Sequence, residues 1–278
     1  MTPDSLANPW TIRQGATSEA RVELWIDGPV NAETRIEGPT NMRAQTLTAK
    51  YRVEKFEGGP APFRAVLPEP NFWTPRTPNC YRLSGAPQPF GLRDLHVRGS
   101  NLWLEDHRFV LRAAAATQED LNDFEAWRET GLAAIVEQPT QALCERALRE
   151  GLYLIADLSD ARHADIRGEV ARLAAWASVS MAILPGRIEL HDAKQFAPHL
   201  PLACLGEEAT PDWADVVINC LENNEAIATP TVDAPEILWR CQSAAAVTPA
   251  ELRLECDRLA AEVVGASNFS GLWVGSVR

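Results

Sequence analysis

From residue 109 onward the chain carries eight short apolar runs, and that series restricts its fold more than any other feature. They are FVLRAAAA (109–116), GLAAIVEQ (131–138), LYLIADLS (152–159), SVSMAILPG (178–186), LPLACLG (200–206), ADVVINCL (214–221), EILWRCQ (236–242) and SGLWVGSV (270–277). A strand with one wet face alternates apolar and polar residues, whereas a strand covered on both faces is nearly continuously apolar. These runs are of the second kind. Amphipathic stretches separate several of them. TQALCERALREG (140–151) sets Leu143, Ala147 and Leu148 on one face, and ADIRGEVARLAAW (164–176) does the same with Ile166, Val170, Leu173 and Ala174. A last helix is predicted over 248–265, with Thr248 as N-cap, Pro249 at the first helical position, Glu251 at the third and Gly265 near its end. Eight buried strands joined by crossovers close naturally into a (β/α)8 TIM barrel. The connections after the fifth and sixth runs are too short for full helices, which leaves an open doubly wound sheet as the alternative.

Before residue 98 the chain has a different character. ARVELWI (20–26) and QTLTAKYRVEKF (45–56) alternate with the period of two expected of half-buried strands, and proline–glycine clusters at 27–29, 37–39 and 58–62 cut them apart. No long helical pattern interrupts this region, so it reads as an antiparallel sandwich. The expected organisation is an all-β domain over 1–97 followed by a compact barrel over 98–278.

Charge and cysteine usage narrow the function classes. The formal net charge of -12 disfavours a nucleic-acid backbone or an anionic membrane as partner. No stretch approaches the roughly 18 unbroken apolar residues that cross a bilayer. The start, MTPDSLANPWTIRQG, lacks the basic and apolar regions of a secretory signal, so a cytoplasmic location is expected. The six cysteines, Cys80, Cys144, Cys204, Cys220, Cys241 and Cys256, are scattered with no C-x-x-C pair. They read as reduced, mostly buried thiols, and neither a metal site nor a cofactor is expected.

The junction PEPNFWTPRTPNCYRL (68–83) carries the string P-x-x-W-x-P-x-x-P-x-x-Y-x-L from Pro70 to Leu83, and FGLRDLHVRGSNLWLEDHRFVLRA (90–113) follows it. In these segments the chain resembles glycoside hydrolase family 2, the β-galactosidase and β-glucuronidase group. There such a string ends an immunoglobulin-like domain and precedes a G-[FIL]-R strand that leads to the barrel. The likeness continues more weakly through 131–158. It implies an immunoglobulin-like sandwich followed by a TIM barrel with a sugar site at its mouth. The family's preceding jelly-roll domain has no counterpart in these residues.

The resemblance also implies where catalytic groups would stand. The family's fourth barrel strand ends in N-E, the Glu being the acid/base, and the similar ASVSMAILPGR (177–187) puts Gly186 and Arg187 there. The nucleophilic Glu of the seventh strand falls on Arg240 in APEILWR (234–240), and neither Cys241 nor Gln242 would restore a carboxylate if the match slipped. The Asn and His that end the family's first strand are replaced by Ala114, Ala115 and Ala116. Retaining glycosidases need two carboxyl groups about 5–5.5 Å apart. An arginine, protonated below a pKa of ~12, neither attacks nor shuttles a proton. The usual mechanism is therefore expected to be lost.

Other carboxylates lie near strand ends, where this fold places its sites: Glu137, Asp157, Asp160, Glu207, Glu208 and Glu222. They could form a relocated acid/base pair, or serve as counter-charges to Arg187 and Arg240 in an ion-pair network. Of the five histidines, His163 and His191 alone lie near a strand end. Trp73 reads as packing. Trp239 and Trp273 fall on the last two strands, and the family's end, G-G-x-x-W-D-W-x-D, implies that Trp273 could stack on a sugar ring as well as fill the barrel. Three functions of different classes follow. The first is a non-catalytic glycosidase-like protein that binds a carbohydrate, anionic if the arginines face the ligand, or a protein partner at the mouth. The second is a glycosidase using relocated carboxylates. The third is a scaffold with a filled mouth that assembles as a homo-oligomer or with another protein.

Overall fold

The computed structural model describes residues 10–160, 165–206, 210–221, 234–241, 248–263 and 268–275. The chain divides into two compact units, one of residues up to Trp73 with Thr77–Arg93, the other of Thr74–Arg76 with Asp94 onward.

The first unit is all β. Its strands are β1 (Thr11–Ser18), β2 (Arg21–Asp27), β3 (Arg35–Thr40), β4 (Ala49–Arg52), β5 (Glu54–Lys55), β6 (Phe63–Pro68), β7 (Cys80–Leu83) and β8 (Pro89–Phe90). They form two four-stranded antiparallel sheets in the orders β1-β2-β6-β5 and β4-β3-β7-β8. Val22, Leu24 and Ile26 alternate inward along β2 and meet Ala65 and Leu67 of β6; Ile36, Tyr81, Leu83 and Phe90 of the other sheet complete the same apolar core. Burial pushes the Tyr81 phenol up to about 12, yet its oxygen is satisfied, accepting from the Asn71 N–H at 2.9 Å. The run 45–56 differs from its expected single strand. Residues 45–48 lie outside any strand, β4 pairs with β3, and β5 pairs with β6. Alternation is identical for a strand in either sheet, so the switch at Val53 is decided by partners alone.

The second unit opens with a three-stranded antiparallel sheet rather than with the barrel: β9 (His96–Arg98), β10 (Asn101–Leu104) and β11 (His107–Phe109). Glu105 and Asp106 take φ of 51° and 55°, the left-handed pair that a two-residue hairpin turn requires.

The barrel elements then follow as β12 (Leu111–Ala115), α1 (Phe124–Thr130), β13 (Ala133–Glu137), α2 (Gln141–Glu150), β14 (Leu154–Asp157), α3 (Ile166–Ala174), β15 (Val179–Leu184), α4 (Ala193–Phe196), β16 (Leu202–Leu205), β17 (Val216–Leu221), β18 (Glu236–Arg240), α5 (Pro249–Glu262) and β19 (Gly271–Val274). Each of the eight apolar runs contains one of these strands. Pairing of β12 with β19, from Leu111 opposite Gly271 to Ala114 opposite Val274, closes the barrel and removes the open-sheet alternative. Every residue of β14, β15 and β19 is buried, which is why these runs do not alternate.

The helices start where their caps dictate. Thr140 accepts from the Leu143 N–H to begin α2, and Gly151, at φ 84°, ends it. Thr248 and Glu251 form the reciprocal capping box of α5, and these bonds hold the Glu251 carboxyl below its ordinary range. Gly265 lies outside the described residues. Helix α1 went unpredicted because only Phe124 and Trp127 are buried in its seven residues, too few to establish a period. Among the described residues no helix joins β16 to β17, as the short spacing implies. Replacing Thr248 with alanine should cost about 1 kcal/mol, seen as a lowering of the thermal midpoint by roughly 2–4 °C.

Candidate active site at the carboxyl-terminal mouth of the barrel

Two ion pairs to α5 fix which side chains face the barrel interior. Arg112 of β12 lies 3.3 Å from Asp257, and Arg240 of β18 lies 2.5 Å from Glu262. Both guanidinium groups therefore point outward, and strand alternation turns Leu111, Ala113 and Ala115, with Ile237 and Trp239, inward. Carried around the ladders, the same parity brings Glu137, Asp157, Cys220 and Trp273 to the inner face.

Tryptophans fill the barrel beside β12. The Trp273 ring is fully buried and meets Trp239 edge-on, with centroids 5.9 Å apart. Its indole N–H donates to the Leu111 carbonyl at 3.2 Å, and that of Trp239 to the Gly275 carbonyl at 2.8 Å. Gly271 makes room for this arrangement, since a Cβ there would lie 3.1 Å from Trp273 Nε1 and 2.9 Å from the Leu111 carbonyl oxygen. Trp273 thus has the contacts of a barrel-filling residue.

Two carboxylates stand side by side on the next two strands of the rim, β13 and β14. Glu137 ends β13, Asp157 ends β14, and the two are opposite each other in the ladder. Glu137 is exposed, whereas Asp157 is buried and oriented, its Oδ1 accepting from the Ser159 N–H at 2.9 Å and the Ser159 hydroxyl at 2.7 Å. The chain leaves β13 through Gln138, held at φ 45°, whose N–H donates to the Asp157 carbonyl at 3.2 Å. A side-chain-bearing residue in that region is uncommon and recurs near sites that must hold a geometry.

The remaining predicted residues are placed as follows. Arg187 lies in the turn after β15 and is exposed. Arg240 does not pair with Glu137 or Asp157, because its position has outward parity and Glu262 of α5 takes its charge. Asp160 and His191 are exposed on loops after their strands. Glu207, Glu208, Glu222 and His163 lie outside the described residues. Two further residues near the mouth are ones that sequence reasoning left among the buried thiols. Cys80, Cys144, Cys204 and Cys256 are buried, but Cys220 and Cys241 are exposed at the ends of β17 and β18. Their signal lay in position: each follows an inward residue, Ile218 or Trp239, by two. Among the described residues no three His, Cys, Asp or Glu side chains group as metal ligands, and no helix is long and apolar enough to cross a membrane.

The chain thus carries three antiparallel sheets and a closed eight-stranded parallel barrel. No protein family and no curated protein matches the sequence. Solved structures do match in fold. Faecalibacterium prausnitzii β-glucuronidase aligns with 95% of this chain at a TM-score of 0.56 and 14% identity. Ruminococcus gnavus β-glucuronidase in complex with D-glucuronic acid aligns with 96% at 0.59 and 11% identity, and Parabacteroides merdae β-glucuronidase with 96% at 0.59 and 11% identity. The chain spans 58%, 60% and 46% of those three proteins respectively. At such identities the likeness is one of fold.

Proposed function

We propose that the chain is a glycosidase-like protein that has lost retaining hydrolysis and binds a carbohydrate at the barrel mouth. The observation that carries this reading is the residue type at two strand ends. Positions 187 and 240, where the family resemblance puts the acid/base and the nucleophile, are both arginine, and Trp239 and Cys241, which flank the outward-facing Arg240, are not carboxylates either. A guanidinium remains protonated and has no electron pair to offer a sugar carbon. The β-glucuronidase fold and the exposed Arg187 together favour an acidic sugar, since arginine recognises carboxylates through paired hydrogen bonds. The same reading makes 1–97 an immunoglobulin-like domain and 98–278 the barrel domain, in a cytoplasmic protein. Two features support the first assignment. The sheet orders β1-β2-β6-β5 and β4-β3-β7-β8 match A-B-E-D and C′-C-F-G. Tyr81 on the strand equivalent to F bonds back to the Asn71 backbone, as a tyrosine corner does.

One observation favours surviving hydrolysis instead: Glu137 and Asp157 are direct neighbours at the rim. A panel of aryl-glycosides that includes glucuronides decides between the two. The expected result is no turnover above buffer, unchanged in Glu137→Gln and Glu222→Gln variants. Turnover that either substitution abolishes would overturn the proposal. Thermal melting with neutral and acidic monosaccharides tests the binding half. Acidic sugars should raise the midpoint in a salt-sensitive manner, and no shift with any sugar would count against a carbohydrate ligand.

A further inference from the structure

We propose that the open edge of β4 accepts an extended acidic peptide of another protein as a fifth strand of the β4-β3-β7-β8 sheet. The proposal does not depend on the carbohydrate reading. Among the described residues β4 has one ladder neighbour, β3, so alternate backbone N–H and C=O groups on its far side form a template for strand addition. Ala49, Lys50 and Arg52 are exposed along this edge. The ladder ends where Gly38 is opposite Ala49, because the next residue of β3, Pro39, has no N–H to donate. Residues 45–48 therefore lie outside any strand, although Thr46, Leu47 and Thr48 continue the alternation of β4. The hydroxyls of Thr46 and Thr48 donate to the Pro39 carbonyl at 2.6 and 3.4 Å, which ties this segment beside the end of β3.

The two faces of the edge call for different side chains. Ile36, Tyr51 and Leu83 are in register on the face toward the core, which puts Glu37, Lys50 and Arg82 in register on the outer face, with Arg35 opposite Arg52 beside them. Four cations thus surround one acid, on a chain whose net charge is -12. Glu37 pairs with Lys50 at 2.8 Å, whereas no acidic side chain of the described residues pairs with Arg52 or Arg82. The core-side face is apolar instead. Continued as a strand, 45–48 would set Leu47 on the face of Tyr51, yet Leu47 is 96% exposed. Met42, on the same connection, is 74% exposed, and Leu254 is the one other exposed large apolar side chain among the described residues.

Charge decides the occupant. Two β4 edges paired with each other would bring Lys50 and Arg52 of one copy close to those of the other, and like charges across a ladder are destabilising. An incoming strand with acids at alternate positions meets Lys50 and Arg52 favourably. Its intervening apolar residues then fall on the side of Tyr51 and Leu47. Exposed ion pairs are individually weak, so the backbone hydrogen bonds supply most of the affinity. The alternation of acid and apolar residue, rather than total charge, supplies the specificity.

Fluorescence anisotropy of a capped, dye-labelled peptide EVEVTV with the full-length protein tests this. The peptide should bind saturably at low salt and more weakly as salt is added. Its block isomer EEVVVT, equal in composition and charge, should bind at least roughly tenfold more weakly. N-methylation at residues 1, 3 and 5 of the peptide, or at 2, 4 and 6, removes the N–H groups from one side of the strand. One of these two series should abolish binding and the other leave it largely intact. In the double variant Lys50→Glu with Arg52→Glu, EVEVTV should lose at least roughly tenfold in affinity and KVKVTV should gain. No binding of EVEVTV, equal binding of the block isomer, or retention by both methylated series would overturn the proposal. Tighter binding of a sulfated oligosaccharide at Lys50 and Arg52 would overturn it in favour of a polyanion site. The peptide series uses the unsubstituted protein, so it stands even if the double variant fails to fold.

Discussion

Trp273→Ala should lower the stability of the barrel unit by about 3–5 kcal/mol, the range for truncating a large buried aromatic. The indole is fully buried, packs edge-on against Trp239 and donates to the Leu111 carbonyl. Alanine would leave a cavity among residues that cannot collapse into it. Backbone closed by hydrogen bonding of β12 to β19 surrounds the site, and Gly271 offers no side chain to fill the space. The midpoint of urea unfolding, followed by far-ultraviolet circular dichroism, reads the effect. A loss below about 1 kcal/mol would be too small for a barrel-filling tryptophan and would return Trp273 to the role of a ligand-stacking residue. Trp273→Phe should recover much of the loss, because packing rather than the single hydrogen bond supplies most of the energy.

The second large effect is expected from Gly151→Ala. Gly151 closes α2 at φ 84°, with its N–H donating to the Ala147 carbonyl at 3.0 Å. A side chain in the left-handed region costs about 1–2 kcal/mol. The added Cβ would also lie 2.4 Å from the Pro75 carbonyl oxygen and 3.2 Å from its carbon, and this neighbour is backbone rather than a side chain that could swing away. Overpacking of this kind typically adds about 1–3 kcal/mol, so a total near 3 kcal/mol is expected in thermal or urea unfolding. Gly186→Ala is the matched control. A Cβ there meets nothing within 4 Å and its backbone is not in the left-handed region, so its stability should be unchanged or slightly raised. Equal effects in the two variants would refute the steric argument.

These residues also show how far the one-dimensional pattern reaches. The strands were legible because burial on both faces leaves a continuous apolar run, as in LYLIADLS and SVSMAILPG. Helices α2 and α5 were legible because their boundaries are chemical: Thr140 and Gly151 for one, Thr248, Pro249 and Glu251 for the other. Helix α1 was not, and neither was the change of sheet within 45–56, because short elements hold too few buried positions to reveal a period or a partner. At the mouth, sequence distance was misleading in both directions. Arg240 sits where the family resemblance expects a catalytic group, yet a single step of strand alternation turns it toward Glu262. Cys241, its immediate neighbour, has the inward parity of Trp239 and lies one step past the end of the ladder.

By itself the sequence determined the eight buried barrel strands in their order, helices α2, α3 and α5, the all-β character of the first region and the identity of the residues at positions 187 and 240. Those properties follow from local burial, capping and side-chain chemistry, which are carried by neighbouring residues along the chain. The tertiary structure alone decided that β12 pairs with β19 to close the barrel, that Glu137 stands beside Asp157, and that Trp273 is sealed inside while Cys220 and Cys241 are exposed. Each of these depends on register between strands distant in sequence, and a shift of one residue would send every side chain to the other face.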